Sequence, residues 1–212
     1  MRTQKILFFG KNGQLAKAFF SLIGDEAIFI GQSELDLRDT ESIRPFIEQY
    51  QPTLIVNTSA YTLVDQAEQD REDAVRLNAL APREMAKAAK ALGIPLVHFS
   101  TDYIFDGQKK SPYEESDAVN PLSYYGQTKY EGEEAIRLEC SQHLIFRVTW
   151  LYSDQGKNFV NTMLKLASER SELRIVDDQV GAPTSAYDVA FSVLKILKNE
   201  TIEFGTYHLT NE

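Results

Sequence analysis

The 212-residue sequence holds one cysteine, one tryptophan and three histidines, and no basic cluster in it exceeds the Lys109-Lys110 pair. Each scarcity removes a class of reading. Cys140 alone cannot close an internal disulfide, and no Cys/His spacing reads as a zinc site, which fits a reducing compartment. Lys and Arg number 22 against 31 Asp and Glu, for a net charge of −9. That balance lacks the positive field behind most non-specific nucleic-acid affinity, so polyanions are excluded as partners. A compact anion remains admissible, because backbone N–H groups at a helix start bind phosphate even in an acidic protein. No apolar run approaches the ~18 residues that suggest a membrane span. Met1-Arg2-Thr3-Gln4 leads into a strand-like run without the apolar region of a signal peptide. The expectation is a soluble, cytoplasmic protein with no nucleic-acid or membrane partner.

At ~150 residues per domain, the length accommodates one α/β domain with roughly sixty residues over. Short apolar runs recur between helical patterns: Ile6 to Phe9, Ala27 to Ile30, Leu54 to Val56, Leu96 to Phe99, Leu144 to Phe146, and Leu173-Arg174-Ile175-Val176. Continuous apolar strands separated by helices predict a parallel sheet buried on both faces. Helix signals fall at Asp39 or Thr40, at Pro82 opening Arg83 to Ala86, and at Gly93 with Pro95 as a stop. Asn158 to Arg170 and Ser185 to Asn199 also read as helices, Asp102 to Pro121 reads as loop, and a last strand-like run precedes the terminal Thr206 to Glu212 string. The predicted fold is an α/β, Rossmann-type doubly wound parallel sheet. Residues 1–150 form its dinucleotide-binding part, and 151–212 a small, incomplete substrate lobe interleaved with the last Rossmann elements. Ligands of such folds bind beyond the carboxyl ends of the strands.

Gly10-Lys11-Asn12-Gly13-Gln14-Leu15-Ala16 lies at that edge, between the first strand and the first helix. Glycine supplies the positive φ of a tight turn, and a second glycine lets backbone approach a pyrophosphate at the helix N-terminus. An ordinary strand-to-helix turn without a ligand is the competing reading. An acid at the end of the second strand often binds the ribose of NAD. Here Ile30-Gly31-Gln32-Ser33 offers none until Glu34 and Asp36, and there is no Arg at the turn, so NADPH and NADH both stay open.

Among ten tyrosines, Tyr125 has a lysine, Lys129, at i+4 on one helix face, whereas Tyr124 and Tyr130 have Thr128 and Glu134 there. Bringing a tyrosine pKa from ~10 to near 7 takes about 3 units, roughly 4 kcal/mol of phenolate stabilisation. An adjacent ammonium in a partly desolvated site supplies energy of that order. Tyr125 is thus a candidate general acid for a carbonyl oxygen. Ser100-Thr101-Asp102 ends the fourth strand, and a hydroxyl there can hydrogen-bond the same carbonyl. Strand-end capping is the alternative role for these hydroxyls.

With the glycine turn, the hydroxyl and Tyr125-x-x-x-Lys129 in this order, the chain resembles the extended short-chain dehydrogenase/reductase superfamily. Longer strings narrow the resemblance: Val56 to Thr62, Val64 to Glu68, Leu77-Asn78-Ala79, Ser100 to Gly107, Tyr125 to Glu133, Phe146 to Tyr152, Asn158-Phe159-Val160 and Asp178 to Thr184. Together they look like the dTDP-4-dehydrorhamnose reductase family over essentially the whole chain. The resemblance implies reduction of dTDP-4-dehydro-L-rhamnose to dTDP-L-rhamnose with NADPH or NADH, for surface polysaccharide. It implies that Gly10, Gly13, Gln14 and Leu15 meet the cofactor pyrophosphate, that Asp36 and Leu37 flank the adenine side, and that Ser59, Ala60 and Tyr61 run along the cofactor. Phe99 would stand at the cofactor's edge. Thr101 would be the hydroxyl partner, Tyr125 the proton donor, Lys129 the ribose ligand that lowers the tyrosine pKa, and Asn78 a support of the proton relay. Thr101, Asp102, Tyr125 and Trp150 would meet the sugar nucleotide, the indole as an apolar face; core packing is the alternative for Trp150.

Three departures accompany the resemblance. Ala16 replaces the last glycine of the turn, and Gly31 stands where many relatives have an acid. Ala18 stands where some relatives place a dimer-bridging metal ligand, so no metal site is expected, while a homodimer stays open. Relatives continue past the equivalent of Tyr207-His208-Leu209, hence the expected incomplete lobe. Two other readings stay open: a non-catalytic nucleotide-binding or regulatory protein like the regulatory subunit of methionine adenosyltransferase, and a reductase or epimerase of another nucleotide sugar.

Overall fold

The computed structural model describes residues 5–199 and 201–211. The lead-in Met1 to Gln4, with Glu200 and Glu212, lies outside the described residues. In chain order the elements are β1 (Ile6–Phe9), α1 (Gln14–Ile23), β2 (Ala27–Ile30), α2 (Thr40–Tyr50), β3 (Leu54–Asn57), α3 (Arg71–Val75), α4 (Ala81–Leu92), β4 (Leu96–Thr101), α5 (Tyr124–Glu139), β5 (His143–Val148), β6 (Leu151–Tyr152), α6 (Phe159–Glu169), β7 (Thr184–Ser185), α7 (Ala186–Leu197) and β8 (Gly205–His208). Among the described residues, no helix is long and apolar enough to cross a membrane.

Successive strand residues face opposite sides of a sheet, and here both sides are covered. Leu7 and Phe9 of β1, Leu96 of β4 and Ile145 of β5 join one core with Ile43 and Ile47 of α2, Met85 of α4 and Ile136 of α5. Their neighbours Phe8, Val97, Phe99, Leu144 and Phe146 join the opposite core with Phe19 of α1 and Val189 and Val193 of α7. Apolar residues in every register are therefore a requirement of the doubly wound, Rossmann-like fold. The six strands are all parallel, in the order β2-β1-β3-β4-β5-β8, and β6 pairs with β7 in a separate two-stranded ribbon. The winding reverses between β1 and β3, which opens a crevice at their carboxyl ends.

Two expectations change. Leu173 to Val176 forms no strand; Ile175 and Val176 are 53% and 66% exposed, and the flanking Glu172, Asp177 and Asp178 keep the run out of a sheet buried on both faces. The sixth strand is β8, which starts at Gly205 and runs into the terminal string, with Leu144 to Arg147 registered on Gly205 to His208. Pro82 stands in the first turn of α4, as expected, but α4 has no free start. Backbone from Arg71 runs through a π-helical turn, Arg76–Leu80, into α4. Proline has no N–H and clashes with the carbonyl four residues back; the wider turn relieves this at Asn78. Gly132 of α5 packs there, where a Cβ would lie 2.0 Å from the Asn78 carbonyl oxygen. Gly93 ends α4 in the left-handed conformation, as expected, and α6 and α7 begin at the expected Asn158 and Ser185; those two residues and Ser123 cap α6, α7 and α5 through their side-chain oxygens.

Candidate active site

A cleft of about 1070 Å³ opens at the carboxyl edge of the sheet. Gly10, Gly13, Gln14, Leu15, Asp36, Leu37, Ser59, Ala60, Tyr61, Phe99, Thr101, Asp102, Tyr125, Lys129 and Trp150 all line it. Asn78 does not. It is fully buried, accepts from the Tyr61 backbone N–H at 2.9 Å, and donates to the Tyr61 carbonyl at 3.2 Å and to Thr128 Oγ1 at 3.1 Å. Its place is behind the wall, holding the Ser59 to Tyr61 segment against α5.

The glycine turn fits a dinucleotide. Gly10 has φ 97°, and a Cβ on it would fall 2.8 Å from both the Ser59 backbone nitrogen and Thr58 Oγ1. No side chain caps the α1 N-terminus at Gly13, so the first N–H groups of the helix face the cleft as a ready anion site. Ala16 is fully buried, which shows that the sheet–helix spacing accommodates its methyl. Gln14 ties the far wall to the turn: its Oε1 accepts from Ser153 Oγ and Asn158 Nδ2, each at 2.9 Å. Near the end of β2, the Arg38 guanidinium holds the Asp36 carboxyl down at about 2.

At the other end, Tyr125 projects from the first turn of α5, which Ser123 Oγ caps by accepting from the Gly126 N–H at 3.1 Å. A Cβ on Gly126 would lie 2.2 Å from the Tyr103 carbonyl oxygen, so only glycine brings α5 this near the Asp102–Ile104 turn. Thr101 Oγ1 donates to Asp102 Oδ1 at 3.0 Å and accepts from the Tyr103 N–H at 3.2 Å. The capping role and the cleft position therefore coexist. Burial pushes the Asp102 carboxyl up. Burial also pushes the Tyr125 phenol up, against the pull of the adjacent Thr101 hydroxyl. This reverses the direction expected from the lysine. Lys129 Nζ donates to the Phe99 carbonyl at 2.6 Å and lies 3.4 Å from His98 Nε2. Burial lowers its own pKa to about 8.

Residues that sequence reasoning passed over lie beneath this edge. Ser59 N–H and Oγ donate to Asn57 Oδ1 at 3.0 and 2.5 Å, which orients the amide so that its Nδ2 donates to His98 Nδ1 at 3.1 Å. His98, fully buried and held neutral by desolvation, thus stands between Asn57 on its Nδ1 side and Lys129 on its Nε2 side. The one signal was a histidine inside an apolar strand. Arg147, 4% exposed, pairs with fully buried Glu133 at 2.8 Å and joins α5 to β5.

Trp150 stands at the cleft rather than in a core. Its φ is 40°, unusual for a bulky side chain. The indole packs on Phe159, with ring centroids 5.3 Å apart, and on Gly181, whose added Cβ would lie 3.0 Å from it. Among the described residues, no group of three or more His, Cys, Asp or Glu could hold a metal ion.

Comparisons with known proteins show the family of the chain. The family profile described as RmlD substrate binding domain matches residues 4–212. A dTDP-4-dehydrorhamnose reductase of Shigella flexneri is 40% identical over 213 residues, covering 96% of this chain and 71% of the relative. A dTDP-4-dehydrorhamnose reductase structure from Clostridium acetobutylicum superposes with a TM-score of 0.92 at 39% identity, over 98% of this chain and 74% of that one. A Bacillus anthracis dTDP-4-dehydrorhamnose reductase, solved in complex with NADP, gives 0.92 at 34% identity over 99% and 75%. The chain is thus shorter than these relatives. With its sheet order, glycine turn and Tyr125/Lys129 edge all within the matched span, the chain belongs to the dTDP-4-dehydrorhamnose reductase family.

Proposed function

We propose that the protein reduces dTDP-4-dehydro-L-rhamnose to dTDP-L-rhamnose, with NADH or NADPH as the reductant. The observation that carries this reading is one continuous cleft with the glycine turn at one end and Thr101, Tyr125 and Lys129 at the other. The nicotinamide supplies the hydride when bound. Gly10, Gly13, Gln14 and Leu15 would hold the pyrophosphate, Ser59 to Tyr61 and Phe99 the cofactor's flank, and Lys129 the nicotinamide ribose.

Tyr125 holds the proton that the product needs. Reduction of the C4 carbonyl adds a hydride to carbon and a proton to oxygen, and burial keeps the phenol protonated at neutral pH. The developing alkoxide is a far stronger base than a phenolate, so a raised phenol pKa does not prevent the transfer. Thr101 and Asp102 orient the carbonyl, and the Trp150 indole offers the sugar an apolar face. In this reading residues 151–212 are the first part of a substrate lobe interleaved with α7 and β8.

The test combines Tyr125→Phe with two assays: nicotinamide absorbance on dTDP-4-dehydro-6-deoxyhexose after epimerisation, and cofactor binding measured separately. Turnover should fall by about 10²–10⁴, the range of a lost general acid, with cofactor affinity nearly kept. Unchanged turnover would remove Tyr125 from the mechanism, and cofactor binding without oxidation by the unaltered chain would favour a regulatory protein.

A further inference from the structure

His98 is a fully buried, titratable side chain that the proposed reaction leaves unused. It stands on β4 with a hydrogen-bond donor on each side: Asn57 Nδ2 lies 3.1 Å from its Nδ1, and Lys129 Nζ lies 3.4 Å from its Nε2. The Asn57 amide is not free to turn, because its Oδ1 accepts from the Ser59 N–H and Oγ at 3.0 and 2.5 Å. Burial and the neighbouring ammonium both hold the ring neutral. A neutral imidazole accepts at one nitrogen only, and an ammonium has donors alone. While Lys129 is charged, one of the two contacts therefore sets donor against donor. Loss of a proton from Lys129 removes the conflict. The ring N–H at Nε2 can then donate to the amine, which still donates to the Phe99 carbonyl at 2.6 Å.

The other ionisable groups on the elements packed there are already committed. Glu133, one turn along α5, favours the ammonium, but its carboxylate is bound to Arg147 of β5 at 2.8 Å and to Arg137 at 3.0 Å. Tyr125, one turn the other way, is kept neutral by burial, and Asp102, just past β4, accepts from Thr101 at 3.0 Å. Among the described residues, His98 is the titratable side chain in contact with Lys129 Nζ. The chain of contacts from Lys129 through His98 and Asn57 ends at Ser59, on the segment that lines the cleft.

We infer that His98 is a positioning residue of the reductase, its ring setting where the Lys129 side chain ends and how readily the ammonium gives up a proton. This rests on the reductase reading, in which Tyr125 spends a proton at each turnover. Lys129 stands one helical turn from Tyr125, and a lysine poised to lose a proton is a source from which the phenolate regains one. The test is NMR of the histidine rings and of the Lys129 ε-methylene, together with the pH dependence of turnover, for the unaltered chain and His98→Gln. The ring signal is one of three histidines and is assigned by its loss in His98→Gln, and the methylene by its loss in Lys129→Met. At about pH 10, where Lys129 is mostly neutral, the ring should carry its proton on Nε2. Glutamine can turn its amide oxygen to Lys129 and relieve the conflict, so in His98→Gln the ammonium should persist to about one pH unit higher. The basic limb of turnover should move with it, which a residue that only packs would leave in place. A ring protonated on Nδ1 at high pH, or a Lys129 titration in His98→Gln within about 0.3 unit of the unaltered chain, overturns the inference whether or not the chain turns over substrate. If His98→Gln does not fold, the ring tautomer of the unaltered chain decides. The expected spectra in a chain that shows no turnover overturn the reductase reading and support the hold of His98 on Lys129.

Discussion

Lys129→Met separates what the lysine does for chemistry from what it does to stability. The side chain is 2% exposed and its pKa falls from 10.5 to about 8, burial being the cause. That difference of 2.5 units, at ~1.4 kcal/mol each, is a cost of about 3 kcal/mol for keeping the charged form in the fold. The sign follows from proton counting. Between pH 8 and 10.5 the unfolded chain holds this proton and the folded chain has released it, so the site's contribution to stability rises with pH. Below pH 8 the full cost is present. Methionine removes it but orphans the Phe99 carbonyl, a loss of about 1–3 kcal/mol. The stability of the variant at pH 7 is therefore predicted to be near that of the unaltered chain. The informative quantity is the difference between the two, from urea unfolding followed by Trp150 fluorescence at several pH values. The unaltered chain should gain on Lys129→Met by about 3 kcal/mol as pH rises from 7.5 to 10.5. Parallel stability curves over that range would refute a buried, pKa-shifted lysine. Turnover by Lys129→Met should be lost throughout, so a stable but inactive variant is the full expected outcome.

Gly132→Ala should destabilise the fold by about 1–3 kcal/mol or more, since its methyl would collide with the Asn78 carbonyl at the π-helical turn; calorimetry that shows no lowered Tm would refute that packing. Glu133→Gln should cost about 3–5 kcal/mol by leaving Arg147 buried without its counter-charge. Burial pushes the Glu133 carboxyl up, but Arg147 outweighs it and the net shift is downward. Its stability contribution is therefore present above the ordinary carboxylate pKa and lost as pH falls through the lowered value. The gap between Glu133→Gln and the unaltered chain, read by urea unfolding, should narrow on acidification, and a gap that widens would refute the pairing.

Much of this fold is legible because burial on both faces writes itself into every strand residue. Phe8 and Phe9 point to opposite cores, so β1 cannot be other than apolar throughout. The glycine turn and the Tyr125/Lys129 spacing are equally local, since a positive φ and an i,i+4 offset belong to single segments. Illegible features depend on partners distant in sequence. Leu173 to Val176 has the composition of a strand and yet forms none. The resemblance makes Asn78 a support of the proton relay, and its position behind the cleft wall is set by the proline four residues on and by Gly132 across the interface. Lys129 sits at the right offset from Tyr125, and yet the Phe99 carbonyl and His98 decide where its ammonium points. Glu34 carries the same argument to the end of β2. A residue type at a sequence position differs from a charge at a place, and a three-residue turn is enough to put a carboxylate over a glycine.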